Sequence, residues 1–205
     1  MINKKFLILI SLFLILFVSG CVRNIFTNKK EAAINSKKVL LVVSPINFFD
    51  EEYQAVRNEL EKNDIEVKIA SIQGPIAKGL NGTETRIDLL TSEAKAEDFS
   101  AVIFIGGKEV ELISDDDTLK LLAFQFKENN KIVAAIDNAP VILAKSGILL
   151  NRKATVVASL KGQLVSIGKA NLIEESVVVD GSIITANSPA ASEDFIRRII
   201  EKIND

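Results

Sequence analysis

The chain has no histidine and one cysteine, Cys21, so the side chains most often used for nucleophilic and acid–base catalysis near neutral pH are almost missing. Thiol chemistry has one residue available. The rest falls to carboxylates, hydroxyls and backbone N–H groups. Asp137-Asn138 follows an apolar run and precedes Pro140, which places a carboxylate where a strand passes into a helix. Free N–H groups and the helix dipole stabilise a carboxylate there, and Asp and Asn tolerate unusual backbone conformations better than most residues. The same carboxylate is also a nucleophile in principle, forming an ester that water must then cleave. Such schemes usually draw on a base, often histidine, so a structural or ligand-binding Asp137 is the favoured reading. Glu52 is available to activate water, but nothing in the sequence fixes its distance.

Three further motifs carry less. Asp115-Asp116-Asp117 opens a helix at Thr118, where acids act as cap and dipole partners, and no metal site is expected there. Lys145-Ser146 is a serine–lysine pair only on paper, because adjacent helical residues point in different directions. Asn81-Gly82-Thr83 matches a glycosylation acceptor and, more simply, an Asn-Gly turn.

Cys21 has another use. Lys4 and Lys5 precede an apolar run from Phe6 to Val18, and Ser19-Gly20-Cys21 closes it. That run is short for a permanent span, which needs about 20 residues. The segment resembles the bacterial and archaeal lipobox, which implies cleavage before Cys21, a diacylglyceryl group on its sulfur, and a stable anchor once two or more acyl chains are attached. Residues 1–20 are thus expected to be a lipoprotein signal peptide. Residues 21–37 then form the lipidated cysteine and a polar linker reaching at most ~55 Å, and the domain is held on the extracytoplasmic face of a membrane.

A net charge of −2, near −4 once Lys4 and Lys5 are removed, and the lack of a basic cluster make nucleic acid an unlikely partner. A lipidated Cys21 leaves no intrachain disulfide, so packing must supply the stability. Residues 38–205 suit one domain.

Within that domain, Val39–Val43, Ala101–Ile105 and Ile132–Ile136 are continuous apolar runs of the kind buried on both faces of a parallel sheet. Amphipathic helices are expected over Glu51–Lys62, with Tyr53, Val56 and Leu60 inward, and over Thr118–Asn129, with Leu119, Leu122 and Phe126 inward. A shorter helix over Ala139–Ser146 stops at Gly147. Val177–Val179 and Ile183–Thr185 flank Asp180-Gly181 as a hairpin with a type I′ turn. A last helix from Ser192 buries Phe195, Ile196, Ile199, Ile200 and Ile203. This order predicts an α/β sandwich with a mostly parallel sheet and a site beyond the strands' carboxyl ends.

From about Lys38 to Ile203 the chain resembles the ThiJ/PfpI branch of the class I glutamine-amidotransferase-like superfamily. The carriers are Gly106-Gly107 after an apolar strand, Lys131–Ile136 followed by a strand-to-helix elbow and Pro140, Leu143-Ala144, Gly147–Leu149 and Arg152–Thr155. Val178–Gly181, Ile184-Thr185 and Pro189 complete the ordered set. The resemblance implies a flavodoxin-like three-layer sandwich, dimeric or larger, in a family of peptidases, glyoxalase-like or deglycating enzymes and chaperone-like stress proteins.

It also implies an active site with cysteine at the elbow, histidine after it, and a glutamate from the turn after the first strand. Here Asp137 and Asn138 occupy the first two positions. Matching through Phe48 puts Phe49 at the third, with Asp50, Glu51 and Glu52 nearby. Gly106 and Gly107, which in the family shape backbone donors for an oxyanion, are kept. The expectation is a surface-tethered domain without the family's cysteine chemistry and without a cofactor. Its pocket of Phe49, Glu52, Gly106, Gly107, Asp137 and Asn138 would bind a small molecule, a peptide or an envelope partner. The alternatives are a hydrolase or a glyoxalase- or deglycase-like enzyme using Asp137, and a purely structural, oligomerising surface protein.

Overall fold

Lys38–Val42 forms β1, the inner strand of the sheet, because its run of Val and Leu can be covered from both sides. A short strand β2 (Ile46–Phe48) leads into α1 (Asp50–Lys62), whose first turn carries Asp50, Glu51 and Glu52 against the positive end of the helix dipole. Next come β3 (Glu66–Ser71), a hairpin of β4 (Ile76–Gly79) and β5 (Glu84–Arg86), and β6 (Leu89–Leu90). The computed structural model describes residues 37–205. The expected signal peptide, Cys21 and most of the expected linker lie outside the described residues.

β7 (Ala101–Phe104) is followed by one helical turn, α2 (Val110–Ile113), and by α3 (Asp117–Glu128). Of the three consecutive acids, Asp116 caps α3, accepting from the Thr118 and Leu119 N–H groups at 2.8 and 3.2 Å. Asp115 pairs with Lys145 and Asp117 with Lys120. β8 (Ile132–Ala135) runs into α4 (Pro140–Lys145), where proline fills the first helical position and Gly147, at φ +80°, stops the helix. Lys145 points away from Ser146 and bonds Ser114 Oγ at 2.8 Å. β9 (Lys153–Ala154), α5 (Lys161–Ser166) and β10 (Asn171–Leu172) precede the closing hairpin of β11 (Val177–Asp180) and β12 (Ile183–Ala186), and α6 (Ser192–Asn204) ends the chain.

The hairpin corrects one expectation. Asp180 pairs with Ile183, so the two loop residues are Gly181 and Ser182 rather than Asp180 and Gly181. Gly181 alone takes a positive φ, 63°, the pattern of a type II′ turn with glycine first. Asp180 is freed to accept from the Lys153 N–H at 2.8 Å.

The seven-stranded sheet has the order β11-β12-β8-β7-β1-β3-β6, and only β11 runs antiparallel. α3, α4 and α5 cover one face, packing Phe126, Leu119 and Leu143 against Phe104 and Val133. α1 and α6 cover the other, packing Leu60, Val56, Phe195 and Ile199 against Leu41 and Ile103. Ile200 and Ile203 are only partly buried at that core's margin. Phe48, Phe104, Phe126 and Phe195 lie wholly within the cores, and burying such a side chain stabilises the fold by about 1.5–3 kcal/mol. β1 pairs with β3 on one side and β7 on the other. The winding therefore reverses between β1 and β7, and the chain turns that follow β1, β7 and β8 converge at their carboxyl ends.

Candidate functional site

Three turns meet at that switch point. Ile136 ends the β8 run, and Asp137 takes φ 58°, a left-handed conformation that Asp adopts at less cost than most residues. The main chain clamps it there: the Asp137 N–H donates to the Ala186 carbonyl at 3.0 Å, and the Val157 N–H donates to the Asp137 carbonyl at 2.9 Å. Neither clamp carries a side-chain signature by which the sequence could have revealed it. Asp137 keeps 8% of its residue surface exposed, and burial pushes its carboxyl above the ordinary range against the opposing Asn138 N–H.

The second turn brings Gly106 and Gly107 against the first. A Cβ on Gly106 would stand 2.8 Å from Glu52 Oε2, 2.9 Å from Phe49 Cδ2 and 3.1 Å from Asn138 Oδ1. A Cβ on Gly107 would meet the Phe48 and Asn47 backbone at 2.8 and 2.9 Å. Glycine is needed here for close approach. The Phe49 N–H donates to the Gly106 carbonyl and the Lys108 N–H to the Asn47 carbonyl, both at 2.9 Å, which ties the β7 turn to the β2 turn.

Both glycine donors are taken from within the site. The Gly106 N–H donates to Glu52 Oε2 at 3.0 Å and the Gly107 N–H to Asn138 Oδ1 at 3.2 Å. Asn138 Nδ2 returns a bond to the Gly107 carbonyl at 2.8 Å. Its amide pairs with both main-chain groups of one residue, Gly107, much as a neighbouring strand would.

The third turn, at the start of α1, chooses among Phe49 and the acids after it. Glu52 is the carboxyl that reaches the elbow. It is fully buried, and burial first, then the nearby Asp137 carboxylate, raise it to about 8, with the Gly106 N–H opposing. Its Oε1 has no hydrogen-bond partner among the described residues. Asp50 turns the other way and accepts the Asn81 and Thr83 N–H groups at 2.8 Å each, fixing the Asn81-Gly82 turn between β4 and β5. Glu51 faces solvent. Phe48 joins the core, while Phe49 is half-buried beside Gly106. Of the reactive groups the resemblance implies, the elbow cysteine and the following histidine are replaced here, and a glutamate stands in the site. Among the described residues, no three His, Cys, Asp or Glu side chains gather as metal ligands.

Fold and site together define a flavodoxin-like α/β sandwich with a carboxylate at a strand-to-helix elbow. The DJ-1/PfpI family matches residues 37–202, and the chain belongs to it. An uncharacterized protein of Methanocaldococcus jannaschii is 33% identical over 98% of this chain and all of its own length. A deglycase of Thermococcus kodakarensis is 26% identical over 79% of this chain and 97% of its own. Among solved structures, a ThiJ/PfpI domain protein from Brachyspira murdochii superposes with a TM-score of 0.79 at 38% identity, covering 82% of this chain and 97% of that one.

Proposed function

We propose that this chain is a membrane-anchored extracytoplasmic lipoprotein whose DJ-1/PfpI domain binds a small polar molecule at the Asp137 elbow without covalent chemistry. The support is the state of the backbone donors: with the Gly106 and Gly107 N–H groups bonded to Glu52 and Asn138, an acyl oxyanion finds neither of them free. The elbow offers a carboxylate in place of a thiol. Calorimetric melting of the full chain in detergent, against a panel of metabolites and short peptides, tests this reading. A ligand at a hundredfold its dissociation constant adds about 2.7 kcal/mol, and Asp137→Ala should abolish the shift. A panel without any Asp137-dependent shift refutes it. For the anchor, Cys21→Ser should release the protein from the membrane fraction, and unchanged processing and retention would refute lipidation.

A second reading follows from the Glu52–Asp137 pair. A protonated carboxyl beside an ionised one is equipped to move protons on a small carbonyl substrate, and one relative carries the name deglycase. Glyoxalase or deglycase turnover lost in both Asp137→Ala and Glu52→Gln would establish it in place of simple binding.

A further inference from the structure

Asn-Gly and Asp-Gly steps share one reaction. The main-chain nitrogen of the glycine attacks the side-chain carbonyl before it and closes a cyclic imide, because a residue without Cβ does not hinder the approach. The chain holds one of each, Asn81-Gly82 and Asp180-Gly181, both at hairpin loops, and the fold treats them differently. The Asp180 carboxylate is engaged on both oxygens, by the Lys153 N–H at 2.8 Å and by Arg152 at 3.3 Å. An ion-paired carboxylate has no leaving group. Asn81 is open by contrast. Leu80, Asn81 and Gly82 make a three-residue loop between β4 and β5, closed by the Gly79 N–H on the Thr83 carbonyl at 2.7 Å, with Gly82 last at a φ of 98°. Asn81 and Gly82 are exposed, a Cβ on Gly82 would meet nothing within 4 Å, and the Asn81 side chain makes no hydrogen bond among the described residues. The attacking nitrogen is barely held, since the Gly82 N–H reaches the Gly79 carbonyl only at 3.3 Å.

Behind the loop sits Asp50. Its buried carboxylate accepts the Asn81 N–H on Oδ2 and the Thr83 N–H on Oδ1, both at 2.8 Å. It presses so close that a Cβ on Gly79 would lie 2.4 Å from Oδ1. The loop is joined in turn to β2 by the Leu80 N–H on the Phe48 carbonyl at 2.9 Å. One carboxylate thus grips the main chain on either side of the Asn81–Gly82 bond, an arrangement that a longer main chain cannot keep.

We propose that Asn81 is a self-modification site: the folded protein converts it to aspartate and isoaspartate, and the conversion releases the β4–β5 loop from Asp50. The Gly82 nitrogen, having given its proton to solvent base, bonds to Asn81 Cγ; the Cγ–Nδ2 bond breaks and Nδ2 leaves as ammonia. Water then opens the imide. Cleavage of the new bond to Cγ gives aspartate, and cleavage of the original bond to the Asn81 main-chain carbonyl carbon gives isoaspartate. One water enters and one ammonia departs, with no change of oxidation state. Isoaspartate carries its main chain through Cβ, which inserts a carbon between the two N–H groups that Asp50 holds. Both products add a negative charge to a loop bound by a carboxylate.

The experiment incubates the full chain in detergent at pH 7 and pH 9, native and in urea, and then cuts it with trypsin after Lys78 and Arg86 to release the loop as one peptide. Native samples should show the mass gain of amide-to-acid conversion in that peptide, several-fold faster at pH 9, with isoaspartate recognised by enzymatic carboxyl methylation. Asp180 should form none in the native chain. Asn81→Ser should abolish the conversion, with circular dichroism confirming its fold. Protein enriched in isoaspartate should melt below the parent, and Asn81→Asp, which has the charge without the added main-chain carbon, between the two. Conversion confined to the urea samples would mean that the loop protects Asn81, and it overturns the proposal. So does isoaspartate forming at Asp180 as fast as at Asn81 in the native chain. A modified protein that melts with the parent overturns the release from Asp50.

Discussion

The Glu52 and Asp137 carboxyls, carried by the first helix and by the turn after β8, repel each other inside the protein with Gly106 bonded to one of them. Neither has an ionic partner among the described residues. Burial first, then the Asp137 charge, raise Glu52 to about 8, which keeps it protonated at neutral pH.

Because the folded protein raises Glu52 to about 8 from the ordinary glutamate value of 4.5, the native state binds more protons than the unfolded chain between those values. The stability this contributes is complete below about 4.5 and is lost as pH climbs through about 8, at no more than about 1.4 kcal/mol per pH unit. Glu52→Gln removes the titration. Melting curves at pH 5, 7 and 9 should show a smaller fall in Tm for the variant than for the parent; parallel curves would count against a raised Glu52.

Asp137→Asn removes the repulsion and leaves the burial. Glu52 should then titrate below about 8 and still above the ordinary carboxyl range. Carbon-13 NMR of glutamate carboxyls reads this directly, and an unmoved Glu52 would mean that Asp137 does not act on it.

Gly106→Ala drives a methyl into the Glu52 carboxyl, the Phe49 ring and the Asn138 amide, all side chains that can give a little. Gly107→Ala drives one into the Phe48 and Asn47 main chain, which cannot. Overpacking costs about 1–3 kcal/mol, so urea denaturation should place Gly106→Ala in that range and Gly107→Ala at or beyond its upper end. The reverse order would contradict the packing of the two turns.

Asn138→Ala takes the acceptor from the buried Gly107 N–H, while the Gly107 carbonyl keeps the Val110 N–H at 3.1 Å. An unsatisfied buried group costs about 1–3 kcal/mol, so a loss of about 2 kcal/mol or more is expected by the same measurement. Asn138→Asp should not rescue it, because it loses the donor and adds a third acid to the pair.

Much of the fold was legible because local pattern and burial coincide. The runs at Val39, Ala101 and Ile132 became the three adjacent inner strands, and the helical stripes of Tyr53, Val56 and Leu60 and of Leu119, Leu122 and Phe126 turned to opposite faces of the sheet. Asp137 was legible as the elbow residue because a strand, a pair tolerant of left-handed backbone and a proline stood in sequence. The hairpin turn slipped by one residue, since Asp180-Gly181 and Gly181-Ser182 both satisfy turn chemistry and only the cross-strand register chooses between them.

By itself the sequence determined the layers and an elbow that carries Asp137-Asn138. Asp50, Glu51 and Glu52 are consecutive, so they point about 100° apart around one helix, and which acid turns inward depends on how α1 is rotated against the sheet. Tertiary packing decided that Asp50 holds a hairpin, Glu51 meets water and Glu52 enters the site. It also decided that the glycine donors are filled from within, because those bonds join turns remote in sequence that meet only when β1, β7 and β8 lie side by side.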